Sequence, residues 1–247
     1  MNPTSHRAAF NSLGWLIPPY VQIRYLDALE QAISNSAISS QDDLEKVLAP
    51  MFSPGPLAAM VCERYPITPF VCEYKEIIAE AVEAHFCGLG HVAISGLNPV
   101  IEGVGLKLLA SRGLPPASGI KGTFNALADD CSQEVQTNNI GNVAELVEMF
   151  ESFKVFTAKY FYEQSASYPL TDNTNRHGIL HGAFTDAEYG RPIGFYKVAS
   201  ALNFLCMISA LRAHISWLAP NETSRSQRLA AYYIECFQHA SKRPPLP

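Results

Sequence analysis

The sequence contains no Cys-x-x-Cys pair, no internal repeat, no low-complexity tract and almost none of the alternation that marks strands. Its cysteines are scattered as Cys62, Cys72, Cys87, Cys131, Cys206 and Cys236, mostly in apolar helical context. Their spacing suits neither a zinc site nor a disulfide framework, so buried free thiols in a reducing cytoplasm are expected. No uninterrupted apolar run reaches the roughly 20 residues of a membrane-spanning helix. The longest, residues 198–211, spans 14 residues between Lys197 and Arg212 and reads as a buried helix. Met1 to Arg7 lacks the apolar core and small-residue cleavage site of a secretory signal, so we expect a cytoplasmic protein with no membrane partner. Positive charge is not in excess either. With 18 Lys+Arg against 23 Asp+Glu the net charge is −5, which argues against sequence-blind adhesion to duplex DNA but leaves room for a small phosphate site.

What is present is an ordinary globular composition, 247 residues with 48% hydrophobic and 17% charged, ample for a large buried core. Helical periodicity dominates, so the expected fold is all-α. The spacing predicts helices over residues 23–33, 41–51, 71–86, 91–111, 121–136, 143–164, 193–218 and 222–240. Trp15, followed by Leu16, Ile17 and the break Pro18-Pro19, reads as a packing clasp. Pro54, Pro56, Pro66 and Pro69 mark a linker. The expected organisation is an N-terminal helical segment with its Pro-rich linker over 1–68, then a larger helical domain over 69–247.

One stretch carries chemistry: Asn175-Arg176-His177-Gly178-Ile179-Leu180-His181-Gly182. The polar run before it, Thr171 to Asn175, is rich in N-cap residues and introduces a short helix. Gly182 suits the position just past the helix end. Ile179 and Leu180 are expected to pin this helix to the core. His177 and His181, four apart, lie on one side of it. Arg176 stands five residues before His181, so the two can reach a common ligand from different directions. The helix dipole favours a charged His181 while Arg176 opposes it, which leaves the imidazole suited to acid–base work near neutrality. An always-charged guanidinium fork is what a transferring phosphate needs beside it.

Blander readings stand next to this one. Arg176 and His181 could form a satisfied polar network with no chemistry. His177 and His181 could be two metal ligands, with Asp172 or Asp186 as a third, although a zinc protease would place Glu where Gly178 stands. His85 and His91 read as core or capping histidines. Glu102, inside an apolar helix, reads either as a buried partner of Arg176 or Lys107 or as a solvated face residue, and its apolar neighbours favour the partner. Tyr189 could stack on a base or anchor a loop.

The segment Asn-Arg-His-x-Ile-Leu-His-Gly resembles the Arg-x4-6-His signature of the HEPN superfamily (higher eukaryotes and prokaryotes nucleotide-binding), in which a polar residue often follows the Arg. That residue is His177 here. Tyr189-Gly190, the helix with Lys197, the Glu83-Ala84-His85 helix and the one with Asn98 and Glu102 are similar to a group of bacterial HEPN-like proteins. The resemblance covers roughly residues 70 to 240. It implies an HEPN-like helical bundle and a metal-independent endoribonuclease without a cofactor, with RNA as its partner. It implies a homodimer with the two motifs facing each other, Arg176 and His181 catalytic, and Asn175, His177, Tyr189 and Glu102 supporting or phosphate-binding. Toxin–antitoxin or anti-phage settings, with an antitoxin or defence-system partner, are common in the superfamily. Other members have lost catalysis and only bind nucleotides or proteins, which is the alternative here.

Overall fold

Proline and short polar side chains set where the helices begin. Ser40 accepts the Asp43 amide at 3.1 Å, Asn142 accepts the Glu145 amide at 3.4 Å, and Thr223 with Ser226 forms a reciprocal cap. Pro54 and Pro192 open two further helices, where a missing N–H costs nothing. A computed structural model describes residues 3–244; the outer ends of the two expected segments, residues 1–2 and 245–247, lie outside the described residues. The described residues form eleven α-helices and no strand, so the fold is all-α. They are α1 (Pro3–Ser12), α2 (Ile23–Ser34), α3 (Gln41–Leu48), α4 (Pro54–Ala59), α5 (Lys75–Phe86) and α6 (Gly90–Ser111), followed by α7 (Gly119–Asn138), α8 (Val143–Phe156), α9 (Arg176–Leu180), α10 (Pro192–Ala210) and α11 (Ser224–Ala240).

The expected linker is not one. Pro50, Pro54 and Pro66 sit in the first turns of short helical stretches, and Leu57, Ala58, Met60 and Tyr65 are buried. The helices before residue 68 pack onto those after it: α1 on α8, α3 on α10 and α4 on α11. One continuous apolar core runs through both parts, so residue 68 marks no boundary in packing. Arg191, at the start of α10, adds an ion pair to Asp42 at 2.7 Å on α3.

At the centre, α6 lies against α5, α7 and α10. Both α6 and α10 are long and apolar enough to cross a membrane by length and composition, but 94% of the apolar window of α10 is buried inside the protein. Aromatic rings fill the space around this pair. Phe153 stacks on Phe204 at 4.3 Å and Phe124 on Tyr162 at 5.4 Å. Trp15 is fully buried with its ring edge-on to Phe52 at 6.3 Å, the clasp its surroundings suggest. All six cysteines are free thiols, four of them buried.

Candidate functional site at the Arg176–His181 turn

A buried polar anchor fixes the chain just before the motif. Asp172 and Lys197 pair at 2.8 Å with almost no solvent contact, and Tyr168 donates to the same carboxylate at 3.0 Å. Thr174 donates to it as well. Burial opposes ionisation of Asp172, but Lys197 and the three hydrogen bonds outweigh it and hold the carboxyl below its ordinary value. Burial pulls the Lys197 ammonium down in turn, against the attraction of Asp172. Asp172 is thus committed to the fold. Among the described residues no three His, Cys, Asp or Glu side chains are grouped to hold a metal ion.

Asn175 then begins α9. Its side-chain oxygen accepts the Gly178 amide at 2.6 Å, and its amide donates to the Glu163 carbonyl. Fully buried and used at both ends, Asn175 shapes the turn and does not face a phosphate. The helix is short, a little over one turn from Arg176 to Leu180. It ends where Ala183 donates to the Gly178 carbonyl at 2.9 Å and Gly182 donates to Ile179 at 3.4 Å. Gly182 takes the left-handed conformation this ending requires, φ +68°. Gly178 is needed for a different reason: a Cβ there would lie 2.0 Å from the Phe184 ring. Ile179 is buried as expected, but Leu180 is 39% exposed and does not pin the helix.

This tight turn brings the two central residues together. Arg176 Nη1 lies 3.2 Å from His181 Nε2. The other edge of the guanidinium meets Glu102 on α6: Nη2 donates to Oε2 at 3.2 Å, and Nε makes an ion-pair contact with Oε1 at 2.6 Å. Glu102 is therefore the partner of Arg176, while Lys107 pairs with Glu73 instead. His181 is exposed, and the His177 ring lies parallel to it at 5.6 Å. Partial burial, with repulsion from Arg176, His181 and Lys121, holds the His177 imidazole below its ordinary value.

Tyr189 does not join the cluster. It packs edge-on against His91 at 4.6 Å, at the start of α6. Glu102 lies eleven residues further along that helix, roughly 16 Å along its axis. The anchoring role offered for Tyr189 is the one its position supports. No family model, curated protein or solved structure matches this chain. The reading of its function rests on the geometry of this turn.

Tyr162 escaped the sequence reading of the site, and Asn98 was noted there only as part of the α6 pattern. Tyr162 is fully buried, and its hydroxyl has no hydrogen-bond partner in the protein. Burial first, and then the negative charge of Glu102, keep that phenol well above its ordinary value. Asn98, one turn before Glu102, is also fully buried with neither amide atom bonded within the protein. The pairing of Glu102 with Arg176 thus has uncommitted polar groups close behind it. Tyr162 carries no local sequence signal, because it meets the motif only through the fold.

Proposed function

We propose that this protein is a metal-independent endoribonuclease of the HEPN type, with His181 as general acid/base and Arg176 as the phosphate ligand. The observation that carries the reading is the contact between Arg176 Nη1 and His181 Nε2. A guanidinium has only donors, so a hydrogen bond in this contact takes the Nε2 lone pair as its acceptor. A phosphate oxygen that takes Nη1 frees the Nε2 lone pair beside it. That lone pair accepts the 2′-OH proton as O2′ attacks phosphorus; the P–O5′ bond breaks, and the 5′-oxygen takes a proton. The products are a 2′,3′-cyclic phosphate and a 5′-hydroxyl end. RNA carries this nucleophile itself, so the chemistry needs no metal-bound water. A positioned imidazole contributes about 10²- to 10⁴-fold, and the guanidinium stabilises the charge that grows on phosphorus-bound oxygen.

We place the second proton-transferring group in a second copy of the chain. A two-fold axis beside α9 would set the partner's His181 opposite this one. Leu180, exposed next to His181, gives that face an apolar contact, and Gly182 is exposed there too. Gly178 takes no part, because it is closed off by Phe184. The free thiols fit a reducing cytoplasm as the setting.

A second reading has its own observation. The chain Glu102–Arg176–His181 is already closed on itself, as in a non-catalytic module that grips a nucleotide or a protein. Purified protein incubated with single-stranded RNA in EDTA separates the two. Cleavage that disappears in His181→Ala supports the enzyme; binding without cleavage on any RNA supports the module.

A further inference from the structure

The same cluster borders a groove that the chemistry above does not use. It has a volume of about 360 Å³ and lies between the C-terminal half of α6 and the start of α7. Its walls include Leu106, Leu109, Leu114 and Ile120, and Glu102 stands at its edge. The carboxylate that holds Arg176 at 2.6 Å is thus also part of the groove wall. Leu106, one turn beyond Glu102, is 53% exposed. Such an aliphatic surface is open to water one turn from the carboxylate that holds Arg176.

We propose that this groove seats one base of the RNA strand whose phosphate rests on Arg176 and His181; the inference rests on the nucleic-acid reading of that turn. Charge favours a nucleotide over a purely apolar occupant. Lys121, in the first turn of α7, bears on His177 and is 40% exposed, with Glu163 as a partner at 3.4 Å. Ser118 makes no side-chain cap at the start of the 20-residue α7, and Gly119 and Ile120 of its first turn line the groove. The anionic partner of Arg176 here is Glu102, and that of Lys121 is Glu163. The volume lies at the low end for small-molecule sites and suits a single nucleotide unit.

The groove offers the base its faces and not its edges. Thr123 spends its hydroxyl on the Gly119 carbonyl at 3.3 Å, and Glu102 is held by Arg176. Aliphatic walls grip any base plane, so the site discriminates weakly among the four bases. The base must leave its stack to enter, so a duplex is excluded.

Binding of labelled single-stranded RNA hexamers to His181→Ala protein tests this without cleavage. One set carries all bases, and the other a single abasic position moved stepwise along the strand. Loss of one particular base should weaken binding about tenfold, and Leu106→Asp should weaken the intact strand by a similar factor. In Leu106→Asp protein the abasic change should then have no further effect. Leu106→Gln, a milder change at the same exposed position, should fall between. Equal binding by all proteins and all strands overturns the base site. Cleavage by the native protein that ignores Leu106 and base loss leaves the ribonuclease standing and removes the groove. Base- and Leu106-dependent binding with no cleavage at all keeps the groove and removes the ribonuclease.

Discussion

Arg176 Nη1 and His181 Nε2 stand 3.2 Å apart, and Glu102 holds the opposite edge of the same guanidinium. The carboxylate therefore sets where Nη1 points, and Nη1 covers the imidazole nitrogen assigned to proton transfer until a phosphate takes its place. Glu102→Gln keeps the shape but removes the charge that fixes the fork. RNA cleavage should fall by roughly ten- to a hundredfold, mostly in kcat, since Glu102 positions Arg176 and does not hold the substrate. A loss confined to KM would give Glu102 a binding role instead.

The Asp172–Lys197 pair should matter for stability more than for chemistry. Its side chains are 0% and 2% exposed, and it holds the turn that leads into Asn175. Lys197→Met leaves a buried carboxylate without its cation, a change that costs about 3–5 kcal/mol. Urea unfolding should show that loss. The double variant Asp172→Asn with Lys197→Met should recover much of it, because the stranded charge is gone. Equal stability of the single and double variants would show that the pair is not coupled.

Much of this was legible in the sequence, but unevenly. The Arg176–His181 spacing was readable because one helical turn brings the two together without help from elsewhere in the chain. The ending at Gly182 followed from glycine chemistry, and the dense cap residues before Arg176 pointed to Asn175. Leu180 was misread because a one-turn helix offers too few positions for periodicity to say which side faces the core. The prolines after Met51 were misread for a different reason: Pro54 and Pro66 start helical stretches, where they are tolerated, and do not interrupt them. The first helix, Pro3–Ser12, carried too weak a pattern to be read at all. Tyr162 could not be read, because its place behind Glu102 and Arg176 depends on how α6 and the chain after α8 pack.

Gly178 gives a steric test of the turn. Gly178→Ala drives a methyl group into Phe184 and should destabilise the protein by roughly 1–3 kcal/mol while disturbing cleavage. Adding Phe184→Ala makes room, so the double variant should regain cleavage relative to Gly178→Ala alone. Thermal unfolding and cleavage rates check both parts. If Gly178→Ala is as stable and as active as the native chain, the turn is not as tight as described.

His85 predicts a pH dependence of stability. It stacks on Phe195 at 4.1 Å, and burial lowers its imidazole to about 4. The unfolded chain protonates the same residue near pH 6.5, so between these values the unfolded state binds more protons. Stability should fall as pH drops from about 6.5 to about 4 and level off below, with an upper bound of roughly 3 kcal/mol from this residue. Denaturant midpoints measured across that window should flatten in His85→Leu relative to the native chain, with carboxylates contributing equally to both. Parallel curves would show that His85 is not the group responsible.

The most direct test of the central claim is the chemistry of the RNA end left behind. Mass spectrometry of fragments cut from single-stranded RNA in EDTA should show a 2′,3′-cyclic phosphate facing a 5′-hydroxyl, with no fragments from His181→Ala protein of equal stability. Fragments ending in a 5′-phosphate, or equal cutting by native and His181→Ala protein, would contradict it.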